Sequence, residues 1–161
     1  MGLSRKSWIT GVSFGMTSGV ITTLGLLVGL WTGTNLKIAV IGGILTIAVA
    51  DAFSDGLGIH VSEESKDGNT TREIWESTLA TMLSKFVVAM TFLVPVLLFN
   101  LQTAVIICVI WGLFLVSVLS LFIAKSKNDK IWKVISEHVL ITGLVVVLSY
   151  YLGDWIAFTF N

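Results

Sequence analysis

Two long stretches of the 161-residue sequence carry no charged side chain, residues 7–36 and residues 86–124. Each stretch is longer than the roughly 20 apolar residues that cross a hydrocarbon core of about 30 Å. Charged residues make up 12% of the chain and hydrophobic residues 55%, whereas a soluble domain carries about 25% charged residues. The sequence therefore predicts an integral membrane protein with no separate water-soluble domain.

Polar interruptions divide the chain into five predicted transmembrane helices, which form one all-α domain over residues 1–161. The predicted helices cover 8–31, 36–60, 77–99, 103–124 and 135–160, with cytoplasmic loops at 62–76 and 125–133. Five of the six tryptophans fall near the predicted helix ends, where interfacial rings are favoured: Trp8, Trp31, Trp75, Trp132 and Trp155.

The distribution of basic residues predicts the orientation of the chain. Eight of the ten lie in the N-terminus and in the second and fourth loops: Arg5, Lys6, Lys66, Arg72, Lys125, Lys127, Lys130 and Lys133. The positive-inside rule then predicts a cytoplasmic N-terminus and a C-terminus outside or in a lumen. We expect the cell membrane in a prokaryote, and the vacuolar or another endomembrane in a eukaryote.

Two aspartates one helical turn apart interrupt the predicted second helix. Asp51, Ser54, Asp55, Gly58 and Ser62 follow the spacing of a single helix face. A carboxylate in hydrocarbon costs a few kcal/mol unless it meets a partner or a wet cavity. The stripe therefore indicates a cation or proton pathway, which the helix boundaries predict to lie in the cytoplasmic third of the membrane.

Lys85 enters the predicted third helix at a matching depth, and its flexible side chain is long enough to reach either aspartate. One interpretation is a buried structural ion pair. The other is a negative site, because two carboxylates exceed one ammonium group. Such a site binds a hard divalent cation through oxygen or takes up a proton.

Further candidates lie on the first helix and near the cytoplasmic end of the second. Ser18 and Thr22 are candidate lining groups, although such hydroxyls often bond their own helix. His60 is a weak candidate metal ligand or proton carrier, but an interfacial histidine needs neither role. Glu63 and Glu64 are weak candidate metal ligands, with a solvated charged loop as the alternative.

Glycines recur every fourth residue on the first helix, and the pattern shifts by two positions half-way along. The two sets are Gly11, Gly15 and Gly19, and then Gly25, Gly29 and Gly33. Small residues at this spacing let helix backbones approach closely, either within a chain or across a dimer. We expect a homodimer through the first set.

Four sequence blocks, in order and spacing, resemble the vacuolar iron transporter family. They are SGVITTLGLLVGL (18–30), AFSDGLGIHVSEES (52–65), FLVPVLLF (92–99) and LITGLVVVLSYYLG (140–153). The resemblance implies five transmembrane helices with a cytoplasmic N-terminus. It also implies a homodimer that exports ferrous or manganous ions from the cytosol in exchange for protons, with the cation path along the first and second helices.

The chain departs from this family at its usual acids. Where the family reads DGL, this chain has SGV at 18–20, and where the family reads SMAAGEYVS, it has SDGLGIHVS at 54–62. Asp55 thus stands at the usual methionine and Ile59 at the usual glutamate, while Asp51 occupies a position that is normally small. The cytoplasmic metal-binding domain of the family is reduced to 62–76, so the chain resembles a divergent member that lacks this domain.

Together with the acidic pair, the resemblance implies an antiporter that moves Fe²⁺ or Mn²⁺ out of the cytosol, with Asp51 and Asp55 alternating between metal-bound and protonated states. The alternative is a non-transporting membrane scaffold or assembly protein with a buried Asp–Lys charge cluster. An enzyme is not expected, since the H-E-x-x-H motif is absent and the chain has only one cysteine. We expect no tightly bound cofactor, a lipid bilayer as surroundings, and no nucleic-acid partner, because the formal net charge is zero.

Overall fold

The computed structural model describes residues 5–127 and 129–160, without the side chains of residues 5, 126 and 127. The basic side chains of Arg5 and Lys127, used above to predict orientation, lie outside this description. Five helices form the described chain: α1 (Arg5–Thr34), α2 (Lys37–Glu64), α3 (Thr71–Leu98), α4 (Leu101–Lys127) and α5 (Ile131–Phe160). Each contains a stretch long and apolar enough to cross a membrane. The predicted all-α fold with five spanning helices is confirmed, whereas the predicted orientation stays a prediction.

Helix α3 begins six residues before its predicted start, because a capping box stabilises its first turn. The Thr70 hydroxyl accepts a hydrogen bond from the Glu73 backbone N–H at 3.3 Å, and the Glu73 carboxylate accepts one from the Thr70 N–H at 3.0 Å. These two bonds satisfy backbone donors that have no partner within the helix. Much of the predicted loop 62–76 is therefore helical.

Helix α1 lies at the centre of the bundle and contacts all four other helices. Its buried side chains Leu24 and Leu27 join a core with Phe92 of α3 and Cys108 of α4. Large apolar side chains remain exposed along the outer faces of the bundle, as expected of a surface that contacts lipid. Helix α5 is the least buried of the five.

The first glycine set of α1 packs against α3 of the same chain. A Cβ atom on Gly11 would collide with the Ser77 carbonyl, and one on Gly15 with the Thr81 carbonyl. At Gly19 it would lie 3.3 Å from Val88. Gly11, Gly15 and Gly19 therefore make a close helix contact within the chain, and the homodimer expected through them stays a prediction.

The second glycine set of α1 packs against α5. A Cβ atom on Gly25 would lie 3.0 Å from Val145, and one on Gly33 would lie 3.4 Å from the Gly153 carbonyl oxygen. Six residues separate Gly19 from Gly25, and at about 100° per residue this offset turns the second set to another side of the helix. The shift in the glycine pattern thus gives α1 two different close neighbours.

Candidate functional site

A lysine at the start of α2 contacts the end of α3. Lys37 Nζ donates hydrogen bonds to the carbonyl oxygens of Phe99 at 3.0 Å and Leu97 at 3.4 Å, which lie at the end of α3. Asp51 lies fourteen residues after Lys37, and Lys85 lies fourteen residues before Phe99. At about 1.5 Å per residue both are displaced by roughly 21 Å from this junction. Antiparallel α2 and α3 therefore bring the two residues to one level, near the middle of each helix.

Three helices converge on the ammonium group of Lys85. Its Nζ donates hydrogen bonds to Asp55 Oδ2 at 2.5 Å and to Ser18 Oγ at 3.0 Å. It also forms an ion pair with Asp51 Oδ2 at 2.5 Å. Asp51, Asp55, Lys85 and Ser18 form what we call the charge cluster. The length of the Lys85 side chain predicts contact with either aspartate, and the structure shows contact with both.

Burial differs sharply among the charged members of the cluster. The Lys85 side chain is fully buried, whereas the side chains of Asp51 and Asp55 are 32% and 20% exposed. Buried Oδ2 of Asp51 has no partner with hydrogen-bond geometry among the described residues, so its contact with Lys85 is electrostatic. With the groups in their usual charge states the cluster carries one net negative charge, on the side that faces outward.

A π-helical turn over Ile47–Asp51 interrupts α2 immediately before the cluster. Such turns insert an extra residue into an α-helix and frequently occur at functional sites. Asp51 is the last residue of this turn, which therefore helps set its direction relative to Asp55. The segment contains neither glycine nor proline, so the sequence analysis had no signal from which to predict it.

The predicted polar stripe of α2 divides into two faces. Asp51 and Asp55 turn toward Lys85, whereas Ser54, Gly58 and Ser62 are exposed. No described neighbour lies within 4 Å of a Cβ atom built on Gly58. The predicted pathway residue Ser54 thus lies beside the cluster, on the outer surface.

The two predicted lining hydroxyls of α1 have different partners. Ser18 faces Lys85, as above. Thr22 Oγ1 instead donates to the backbone carbonyl of Ser18 at 2.8 Å, within its own helix. Ser18 is therefore part of the charge cluster. The Thr22 hydroxyl instead bonds within its own helix, which is the alternative that the sequence left open.

The three weak candidate metal ligands do not join the aspartates. His60 Nδ1 lies 3.1 Å from Thr78 Oγ1, and its ring meets Trp75 edge to face. Because the Thr78 hydroxyl already donates to the Ile74 carbonyl at 2.8 Å, its oxygen is left to accept from Nδ1.

The two loop glutamates lie farther along α2 than His60. Glu63 pairs with Lys66 at 2.5 Å and accepts a hydrogen bond from Asn69 at 2.9 Å, and Glu64 is exposed. Across the described part of the chain, no three histidine, cysteine, aspartate or glutamate side chains are grouped to hold a metal ion. A metal at the cluster would thus depend on two carboxylates and neutral oxygens.

Chemically, the cluster is a cation position made of three oxygens from two helices. The Lys85 ammonium fills that position, within 3.0 Å of both carboxylates and of the Ser18 hydroxyl. Carboxylate and hydroxyl oxygens are ligands of hard cations. The cluster can therefore hold a tethered cation, and another cation must compete with the lysine for the same oxygens.

No family model matches the sequence, and no curated protein is significantly similar to it. The resemblance to vacuolar iron transporters therefore rests on the four short blocks given above and stays a prediction.

Proposed function

We propose that the protein transports a divalent metal cation of the Fe²⁺ or Mn²⁺ class across its membrane in exchange for protons, out of the cytosol. The observation that carries the proposal is the convergence of Asp51, Asp55 and Ser18 on one cation position half-way along the bundle. Ionisable residues within membrane-spanning helices commonly line ion and proton pathways. The direction of transport follows the family resemblance.

In this mechanism Lys85 acts as a built-in competitor for the metal. An incoming dication binds Asp51, Asp55 and the Ser18 hydroxyl, and the Lys85 ammonium leaves the carboxylates. When the metal departs on the other side, the lysine pairs again with one carboxylate and the other carboxylate takes up a proton, which is released to the cytosol when the next dication binds. The partial exposure of both aspartates supports this exchange, because their carboxylates are not sealed within the packed core.

Transport is tested with the purified chain reconstituted into liposomes that contain a Mn²⁺-sensitive dye, with an opposing proton gradient. We expect proton-driven Mn²⁺ uptake by the parent protein and none by Asp51→Asn with Asp55→Asn. Asp154→Asn is the matched control, because Asp154 is an exposed acid on α5 outside the cluster, and it should transport like the parent. Equal uptake by the double variant would show that the aspartates are not the pathway.

A second candidate is a non-transporting membrane scaffold or assembly protein. The fully buried Lys85 side chain, in contact with both carboxylates, favours this candidate, because buried ion pairs are also used purely for structure. The two candidates differ in one observable. A scaffold keeps Lys85 on the aspartates in the presence of Mn²⁺, whereas a transporter exchanges it for the metal.

We further propose that a second copy covers the outer face of α2. Six small residues recur there at every fourth position, and all are exposed: Gly42, Thr46, Ala50, Ser54, Gly58 and Ser62. The partly exposed carboxylates of Asp51 and Asp55 adjoin this face, and leaving them against hydrocarbon is costly. A homodimer through α2 removes that exposure, and small residues permit the close approach of the two backbones.

A further inference from the structure

A groove of about 500 Å³ lies between α1 and α4, at the end of the bundle where α1 begins and α4 ends. Its walls are apolar, and its volume lies within the range of about 300–1,000 Å³ that is typical of ligand sites. The main lining residues are Trp8, Val12, Met16, Val118, Leu119 and Phe122. None of them belongs to the charge cluster, so the groove is a separate feature.

The groove opens toward the membrane. Nearer the middle of the bundle, α1 and α4 are in close contact, since a Cβ atom on Gly112 would lie 2.5 Å from the Leu24 side chain. At the groove, Phe122 is 69% exposed and Ile9 is also exposed. Apolar walls open to the hydrocarbon of a bilayer favour an acyl chain as occupant.

Positive charge lies at the mouth of the groove. Lys6 precedes the lining residues Ile9 and Ser13 by three and seven positions, so it lies on the same face of α1. Lys125 follows Phe122 and Val118 by three and seven positions, so it lies on the same face of α4. Within the described chain neither lysine takes part in an ion pair.

The lining residue Trp8 also carries a polar donor without a partner. Nε1 of Trp8 is buried and has no hydrogen-bond partner in the part of the chain that the structure describes. A buried N–H group without an acceptor costs free energy. A turn of the indole ring toward the groove would let an ester or phosphate oxygen supply the acceptor, which apolar lipid alone cannot do.

We propose that the groove binds one anionic glycerophospholipid. An acyl chain fills the space between α1 and α4, and the phosphate lies between Lys6 and Lys125. The Trp8 indole donates to a lipid oxygen. Basic pockets between transmembrane helices recognise anionic headgroups through this same charge complementarity. The proposal is independent of metal transport.

The test compares two lipids with identical palmitoyl and oleoyl chains, phosphatidylglycerol and phosphatidylcholine. Each is titrated onto the purified full chain in detergent, and bound lipid is counted by native mass spectrometry. We expect one tightly held phosphatidylglycerol, with an affinity that falls about fivefold for each of Lys6→Gln and Lys125→Gln. Lys130→Gln and Lys133→Gln, each of which also removes one charge at the same end of the bundle, should leave the affinity unchanged.

Two further variants separate headgroup from chain binding. Trp8→Phe keeps an aromatic ring and removes the N–H, and should weaken phosphatidylglycerol binding. Leu119→Trp fills the groove and should abolish the tight site, with an unchanged circular dichroism spectrum as the check on folding. Equal binding of the two lipids, or an equal loss in the Lys130 and Lys133 control, would overturn the proposal. So would a change of oligomeric state in Leu119→Trp, since a second copy would then be the occupant.

Discussion

Lys85 is the residue on which the charge balance of the bundle depends. Its ammonium is the only positive group among the described members of the cluster, and it holds two carboxylates from α2 near a hydroxyl from α1. Lys85→Met should lower the free energy of unfolding by about 3–5 kcal/mol, because two carboxylates then lie side by side without a counter-charge. Thermal unfolding in detergent measures the loss. Lys130→Met, at an exposed lysine, is the control and should change little.

The triple variant Lys85→Met with Asp51→Asn and Asp55→Asn separates charge from packing. Replacing both partners of a buried ion pair is often neutral or stabilising, whereas removing one partner is strongly destabilising. The triple variant should therefore unfold at a higher temperature than Lys85→Met alone. If it is equally unstable, the loss in Lys85→Met comes from packing of the side chain and not from unbalanced charge.

Ser18 and Thr22 provide a matched pair of hydroxyls on one helix. Ser18→Ala removes a hydrogen bond to a charged group, which is worth about 1.5–3 kcal/mol, and should lower thermal stability measurably. Thr22→Val removes a bond to the carbonyl of Ser18 within the same helix and should have a smaller effect. Equal effects in unfolding measurements would mean that the Ser18 contact with Lys85 contributes no more than a local helix bond.

Polar chemistry explains which site residues the sequence could predict. Asp51, Asp55 and Lys85 were predicted to meet because charges within spanning helices need each other. His60 and Glu63 were weak candidates, and each has a nearer partner that sequence alone does not reveal. For Thr22, the sequence left open the bond within its own helix that the structure shows.

At the level of helices, the glycines of α1 determine how the bundle packs. Gly15→Ala should be destabilising, because the added Cβ atom would collide with the Thr81 carbonyl and the Ser84 hydroxyl of α3. Gly143→Ala on α5 is the matched control, since no described atom lies within 4 Å of its Cβ position. At position 143 the higher helix propensity of alanine over glycine, worth about 1 kcal/mol, should stabilise the variant. We expect Gly15→Ala to lower the unfolding temperature relative to the parent and Gly143→Ala to raise it. An unchanged unfolding temperature in Gly15→Ala would contradict the packing of α1 against α3.

The sequence predicted the number and order of helices but not their neighbours. Uncharged length is sufficient to identify a spanning helix. The face that meets another helix is harder to identify, because both lipid-facing and buried positions are apolar. The period of the glycines thus predicted close contacts, while the structure was needed to show α3 and α5 as the partners.

At the scale of the whole molecule, the outer face of α2 governs the proposed assembly. Cys108 is the only native cysteine and is buried, so single cysteines in a Cys108→Ser background give clean cross-linking. Ser54→Cys should cross-link two copies in membranes, because the α2 faces approach closely in the proposed dimer. Leu148→Cys, at an exposed position of α5, is the control and should not. Cross-linking of Leu148→Cys without cross-linking of Ser54→Cys would show that the dimer interface lies on α5 and not on α2.

The central claim is that the charge cluster is an exchangeable cation site, and Mn²⁺ binding to the purified chain tests it most directly. Calorimetric titration of the parent protein should show Mn²⁺ binding, and Asp51→Asn with Asp55→Asn should abolish it. Lys85→Gln should bind Mn²⁺ more tightly than the parent, because the built-in competitor is gone. Absence of Mn²⁺ binding to the parent, or equal binding to the parent and the double asparagine variant, would contradict the account.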